Sequence, residues 1–216
     1  FQSEFLHAGP GVTVIKIPSS INDNSLLSEY GKLGVEHILG GYDHLLFLLC
    51  VVWLAFTFKR ILLAVTGFTI AHSITLGLAA VGVVTPAIEP TEALIALSII
   101  FVAAELARQN RDSLSWRYPV AVSSVFGLLH GFGFASVLKE IGLPTNDILM
   151  ALLAFNLGVE AGQLLFIVAL VILVWSIQKT SAGKFDLSGP LSQKLAGYVV
   201  GVFATFWFFE RLATFV

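Results

Sequence analysis

Residues 61–84 of the chain read ILLAVTGFTIAHSITLGLAAVGVV, and this stretch decides the fold. It contains no aspartate, glutamate, lysine or arginine, and it exceeds the roughly 20 apolar residues that a helix needs to cross a bilayer. A second run without these four residue types covers residues 118–137. Because a helix satisfies its own backbone polar groups within lipid, both runs are predicted to be membrane-spanning helices.

The composition of the whole chain agrees with a membrane protein. Of its 216 residues, 56% are hydrophobic and only 12% are charged, with a mean hydropathy of +0.88. A soluble domain would carry about 25% charged residues. The net charge of −2 offers no basic surface to a nucleic acid, so the predicted partner is the lipid bilayer. Cys50 is the single cysteine, so the chain has no internal disulfide framework.

We therefore predict an all-α polytopic membrane protein with six transmembrane helices in a bundle with short loops. The predicted spans are 34–58, 61–84, 88–107, 118–137, 148–177 and 195–215. Residues 34–216 form the transmembrane domain, and residues 1–33 a polar segment outside it. That segment begins with Phe1-Gln2-Ser3, which resembles a tag remnant, and its β-branched run 12–17 predicts a weak strand or an extended tail.

Basic residues in the loops predict the orientation. Eight lie on one side of the predicted spans and four on the other, and the richer side is expected to be cytoplasmic. The eight are Lys59, Arg60, Arg108, Arg111, Arg117, Lys179, Lys184 and Lys194, and the four are Lys16, Lys32, Lys139 and Arg211. Both termini are then outside the cytoplasm of a bacterial inner membrane.

Four of the five histidines lie in or at the spans: His37, His44, His72 and His130. Ionisable groups within a bilayer are unfavourable and by default mark a functional site that faces the bundle interior. His7 lies in the polar N-terminal segment and is interpreted as a solvated residue.

The first span places two of these histidines seven residues apart on one helix face, about two turns from each other. Asp43 points about 100° away from His44 in an ideal helix. It could bind a metal only if the helix is distorted, which Gly40 and Gly41 permit, and otherwise it would orient an imidazole from another helix. The alternative for His37 is a helix cap in water.

The second span carries a polar stripe of Thr69, His72 and Thr75, with Ser73 beside it. Its hydroxyls could simply bond back to the carbonyl four residues earlier, but this does not explain the histidine. A hydrogen bond to a neighbouring helix is the alternative for His72.

The fourth span places His130 beside Gly127 and Gly131, whose four-residue spacing predicts a tight helix contact. Packing explains the glycines and leaves the histidine unexplained.

The fifth span places Asn156, Glu160 and Gln163 within about 60° of each other around the helix. A carboxylate in mid-span should be protonated, paired with a cation or bound to metal, unless the three form an interhelical hydrogen-bond network. Glu92, near the outer end of the third span, is either a carboxylate at the mouth of the site or a surface residue.

Imidazole and carboxylate ligands without a thiolate are typical of nickel, cobalt, zinc or iron(II) sites. Such a site would bind a divalent transition metal ion, with nickel, cobalt and zinc as the candidates. The predicted ligands are His37, Asp43, His44, His72, His130 and Glu160, of which His44, His72 and His130 form the core and His37 lies at the entrance. The predicted supporting residues are Thr69, Ser73, Thr75, Asn156, Gln163 and Glu92.

Together these motifs resemble the HupE/UreJ family of membrane proteins. The resemblance rests on residues 37–46, 68–76, 92–98, 126–135 and 155–164, and it covers about residues 34–211. It implies about six spans and nickel or cobalt permease activity, and the family's His…Asp-His signature corresponds to His37, Asp43 and His44. The fourth- and fifth-span motifs resemble a second branch of the family.

Two functions of different classes follow from the site. A permease would pass the ion from an outer entrance through a histidine relay, with Glu160 balancing charge or carrying a proton. An intramembrane zinc-dependent hydrolase would hold zinc on three histidines and use Glu160 or Asp43 as general base. A metal-sensing or assembly subunit is a third interpretation, and a homo-oligomer is left open. A permease should show a polar route towards both membrane faces.

Overall fold

The computed structural model describes residues 23–134, 147–180, 186 and 189–214. These residues form eight helices and no strand. In chain order they are α1 (Asp23–Gly40), α2 (Tyr42–Ala55), α3 (Phe58–Ala80), α4 (Ile88–Arg108), α5 (Leu114–Arg117), α6 (Pro119–Gly133), α7 (Ile148–Thr180) and α8 (Pro190–Leu212). The all-helical class is confirmed, whereas the weak strand predicted at 12–17 lies outside the described residues.

Four of these helices, α3, α4, α7 and α8, are each long and apolar enough to cross a membrane. The pair formed by α1 and α2 also qualifies as one unit, although it is bent by 74°. The described residues therefore hold four candidate spans, or five with the bent pair, rather than six. α6 is apolar but has only 15 residues, and the end of its predicted span at residue 137 lies outside the described residues.

The first helix begins at Asp23, earlier than the predicted start at residue 34. Its N-terminal half is polar because one face is exposed, whereas Leu26 and Tyr30 on the other face are buried against α7. The polar composition of this segment therefore did not reveal that the helix begins with an amphipathic stretch.

Three helix pairs carry most of the packing: α1 with α7, α3 with α6, and α4 with α8. Glycines allow the close approach in each pair. A Cβ atom at Gly127 would lie 2.5 Å from the Phe68 carbonyl oxygen, and one at Gly197 would lie 2.7 Å from that of Ala103. A Cβ atom at Gly34 would collide with the Phe155 carbonyl oxygen. The small-residue contact predicted at Gly127 and Gly131 is thus confirmed.

The short helix α2 lies at the centre of the bundle and contacts each of the other seven described helices. Its first turn carries Asp43 and His44, so the bundle surrounds the most densely polar part of the first span.

Candidate metal centre

Three histidines from three helices meet inside the bundle. One ring nitrogen from each of His37 on α1, His44 on α2 and His72 on α3 lies within 4.8 Å of the other two. His44 is 7% exposed and His72 is fully buried. We call these residues the histidine trio, and their ligand atoms are close enough for one metal ion to bridge them.

Hydrogen bonds leave the same nitrogen free on two members of the trio. The Nδ1 of His44 lies 3.0 Å from the carboxylate Oδ1 of Asp43, which can only accept, so this nitrogen donates. The Nδ1 of His72 lies 3.3 Å from the amide Oδ1 of Asn156, whose own amide nitrogen donates to the Leu152 carbonyl. In both rings the Nε2 lone pair is therefore available to a metal.

The Nε2 atoms of His37, His44 and His72 are buried and have no hydrogen-bond partner among the described residues. A buried polar atom without a partner is unfavourable by about 1–3 kcal/mol, so three of them on adjoining rings call for an explanation. A metal ion shared by the three lone pairs would satisfy all of them.

His130 on α6 lies beside the trio, with its ring centroid 5.0 Å from that of His44. The hydroxyl of Ser98 donates its proton to the Ile95 carbonyl, so its oxygen accepts from the Nε2 of His130 at 3.0 Å. The Nδ1 of His130 is then the bare nitrogen, and it too is buried without a partner. This residue offers a fourth ligand atom next to the trio.

Aromatic rings cover the trio on one side. The ring of Phe134 lies 4.0 Å from that of His37, and Phe155 is stacked on Phe134 with centroids 5.0 Å apart. On the other side, Phe68 packs against His44 and His72. These rings limit the access of water and strengthen electrostatic interactions at the site.

The break between α1 and α2 brings His37 and His44 together. The chain turns at Gly41, and the two rings are 4.6 Å apart although the helix axis bends by 74°. A Cβ atom at Gly41 would lie 2.8 Å from the His37 carbonyl oxygen and 2.9 Å from the Nδ1 of His44. The distortion that the sequence permitted at Gly40-Gly41 is therefore present. Asp43 follows it and lies against His44 of its own helix rather than against an imidazole from another helix.

A cavity of about 100 Å³ adjoins the trio and is lined by His37, Asp43, His44 and His130 together with Glu92 and Arg211. The guanidinium Nε of Arg211 lies 3.7 Å from the Glu92 carboxylate, and its Nη1 donates to the Glu92 carbonyl oxygen at 3.4 Å. Glu92 thus lies at the mouth of the site, and Arg211 compensates its charge there.

A row of hydrogen-bonded polar side chains joins α3 to α7 on the side of the trio nearer the start of α3. The Thr69 hydroxyl donates to the Gln163 amide oxygen at 2.9 Å, and the Thr66 hydroxyl donates to the Glu160 carboxylate at 2.6 Å. Thr66 lies six residues from His72, which is about 9 Å along a helix axis. Glu160 therefore belongs to this row and is not grouped with the trio.

The remaining predicted supporting residues bond to their own helix. Ser73 donates to the Thr69 carbonyl at 2.6 Å, and Thr75 to the carbonyls of Ala71 and His72. These two residues follow the backbone alternative that the sequence had left open. The structure also differs in the order of the histidines, since His37 belongs to the trio and His130 lies next to it.

Sequence reasoning missed three residues of this site: Thr66, Ser98 and Arg211. Thr66 had a usable signal, because it extends the three-residue spacing of the second-span stripe by one step. Ser98 had none, since a serine in an apolar helix usually bonds to its own backbone. Arg211 comes from the far end of the chain, and only the packing of α8 on α4 brings it to Glu92.

The fold and site define a polytopic membrane protein with a buried histidine cluster among its helices. The family model for the HupE / UreJ protein matches residues 14–211, so the chain belongs to the HupE/UreJ family. No curated protein and no solved structure matches the chain.

Proposed function

We propose that this protein is a permease for a divalent transition metal, nickel or cobalt first and zinc as the third candidate. In this proposal it crosses a bacterial inner membrane six times, with both termini outside the cytoplasm. The metal is its transported substrate. His37, His44 and His72 bind the ion, with His130 as a further ligand and Asp43 and Asn156 holding two of the rings in place.

One observation carries the proposal: three histidine rings, each with a buried and unpartnered Nε2, meet at the start of a polar row. The histidine trio provides neutral nitrogen ligands that suit nickel, cobalt or zinc. A transport site must also release its ion, and a site of neutral imidazoles with few carboxylates is weak enough to do so. Membership of the family, which is associated with nickel and cobalt transport, supports the same function.

The surroundings of the trio support a route rather than a closed pocket. The cavity with Glu92 and Arg211 leads away from the trio on one side. On the other side, Thr69, Gln163, Thr66 and Glu160 continue the line of polar side chains between α3 and α7. In the permease, Glu160 balances the charge of the ion or carries a proton below the trio.

The second candidate is an intramembrane zinc-dependent hydrolase, which one feature of the site favours. Three histidines with a carboxylate behind one of them are the usual ligands of catalytic zinc with an open position. Glu160 is a poor general base for such an enzyme, because its carboxylate bonds to Thr66, about 9 Å along α3 from His72. Asp43 adjoins the cavity and is the better candidate for that role.

Metal binding tests the premise that both candidates share. The purified protein is loaded with nickel, cobalt or zinc, and bound metal is measured by elemental analysis. We expect one ion per chain, which is lost in His44→Ala and in His72→Ala and is retained in His7→Ala. Retention of the full metal content by both trio variants would refute the site.

Transport is tested with the same protein in sealed vesicles. We expect the external metal to enter the lumen, at a rate that falls at least tenfold in His72→Ala and in Glu160→Gln. Tight binding of one zinc ion per chain without flux would reject the permease and favour the hydrolase.

A further inference from the structure

A groove between α4 and α8 lies away from the histidine trio. Its volume is about 600 Å³. Its apolar part is lined by residues such as Ile100, Ala104, Gly201 and Val202, and its end by Arg108 and Lys194. We propose that this groove binds one anionic phospholipid, with the phosphate at Arg108 and Lys194 and an acyl chain along the apolar part.

The charge of the groove selects the headgroup. Arg108 is the last residue of α4, and Lys194 lies in the first turns of α8, so the two cations lie at the same end. The Arg108 side chain is 74% exposed, and its guanidinium is 3.9 Å from the carboxylate of Glu105. Two cations against one carboxylate leave a net positive charge, which favours an anionic headgroup over a zwitterionic one.

The length and chemistry of the groove match an acyl chain. From Lys194 to Thr205, α8 rises by about 16 Å, which is close to the roughly 15 Å of hydrocarbon in one leaflet. The Thr205 hydroxyl donates to the Gly201 carbonyl at 2.7 Å, so it is already hydrogen-bonded and needs no polar group from a ligand. Tyr198 is exposed near the charged end, where aromatic residues usually lie at the membrane interface.

A phospholipid fits this groove better than a second copy of the chain does. In a dimer with its axis along the membrane normal, the Arg108 and Lys194 cations of both copies would lie at the same depth and repel one another. Free phosphate would use the charged end alone and leave the apolar groove unfilled. The basic-residue count puts these cations on the predicted cytoplasmic side, where juxtamembrane cations attract anionic lipids.

The proposal is tested by native mass spectrometry of the whole delipidated chain titrated with phosphatidylglycerol or with phosphatidylcholine of the same acyl chains. We expect one phosphatidylglycerol per chain. Each of Arg108→Gln and Lys194→Gln should lower the affinity for phosphatidylglycerol about fivefold, and the double variant should lower it about thirtyfold. A Lys59→Gln, Arg60→Gln double variant removes two cations from the same predicted side, outside the groove, and should bind as the parent does.

Filling the groove gives an independent test. A Cβ atom at Gly201 would meet only the Ala103 Cβ, at 3.7 Å, so Gly201→Leu should fold, retain metal at the trio and lose affinity for phosphatidylglycerol. Equal binding of the two lipids, or unchanged phosphatidylglycerol binding in the double charge variant, would overturn the proposal. The proposal would also be overturned if the protein formed a dimer that Gly201→Leu dissociates, or if inorganic phosphate bound the charged end in the absence of the lipid.

Discussion

Three rings of the histidine cluster are each held by a different kind of acceptor. Asp43 holds His44, Asn156 holds His72, and Ser98 holds His130. An acceptor on one ring nitrogen fixes the tautomer and leaves the other nitrogen to bind. The carboxylate of Asp43 is the strongest of these acceptors, because it is charged and also accepts from the His44 backbone N–H at 2.8 Å.

Removal of that charge should weaken metal binding without removing a ligand of the trio. We expect Asp43→Asn to lower the affinity for nickel about tenfold and Asp43→Ala up to about a hundredfold, since only the amide keeps an acceptor oxygen. Isothermal titration with each metal measures the effect.

The matched control for Asp43 is Glu36→Gln, which neutralises an exposed carboxylate paired with Lys32 at 3.5 Å. Its affinity should equal that of the parent. If Asp43→Ala also binds as the parent does, Asp43 does not position His44 for the metal.

At the scale of single residues, much of the site was predictable. An imidazole within a predicted span is already unusual, so His44, His72 and His130 could be assigned to a buried site from the sequence. Their acceptors were harder to predict. Asn156 was found because it shares a helix face with Glu160 and Gln163, whereas Ser98 resembles any serine that bonds to its own helix.

At the scale of elements, the break between α1 and α2 determines the site. Without the bend at Gly41, His37 and His44 would lie about 10 Å apart along the axis of a regular helix, whereas their rings are 4.6 Å apart across it. The two adjacent glycines have different surroundings: a Cβ atom at Gly40 would meet nothing within 4 Å, whereas one at Gly41 would crowd His37, His44 and Asp43.

We therefore expect Gly41→Ala to lower metal affinity at least tenfold and Gly40→Ala to leave it unchanged. The first substitution forces the His44 ring or the His37 carbonyl to move, and the second adds a methyl group in open space. The same titrations on the two variants measure the difference. Equal affinities would show that the turn at Gly41 does not set the geometry of the trio.

The close contact of α3 with α6 at Gly131 brings together the helices that carry His72 and His130. A Cβ atom at Gly131 would collide with the Thr75 hydroxyl and the His72 carbonyl oxygen. We expect Gly131→Ala to destabilise the protein by about 1–3 kcal/mol and to lower metal binding as the helices separate. Thermal unfolding in detergent, with and without nickel, measures both effects.

Gly77 in α3 supplies the control, because a Cβ atom there would meet nothing within 4 Å. Alanine is a better helix former than glycine, so Gly77→Ala should stabilise the protein by about 0.5–1 kcal/mol. A Gly131→Ala variant as stable as Gly77→Ala would contradict the tight contact.

Among the elements, the apolar runs predicted helices correctly, but not every boundary. The start of α1 was missed because an amphipathic helix on the outside of a bundle looks like a polar tail in composition. The pairing of helices could not be predicted either. Glycines at four-residue spacing mark a helix that is closely approached, but they do not identify the neighbour that approaches it.

At the scale of the whole molecule, the pairing of α1 with α7, α3 with α6 and α4 with α8 surrounds the central α2. This arrangement brings Glu92 and Arg211, 119 residues apart in sequence, to the cavity beside the trio. Orientation and the number of crossings remain predictions, because they depend on the membrane as well as on the fold.

Cysteine labelling tests both predictions. The buried Cys50 is first replaced by alanine, and single cysteines are then introduced at exposed sites. A membrane-impermeant maleimide on spheroplasts should label Lys32→Cys and Asp147→Cys, and it should reach Arg60→Cys and Asp112→Cys only after the membrane is opened.

Labelling of Lys32→Cys but not of Arg60→Cys requires that the bent pair crosses the membrane. Labelling of Asp147 but not Asp112 requires that α6, with the residues after it, crosses as well. If Asp112 and Asp147 are labelled from the same side, the chain has fewer than six crossings, and the reverse pattern at all four sites would invert the orientation. In the inverted orientation the cavity with Glu92 could no longer be assigned as the outer entrance.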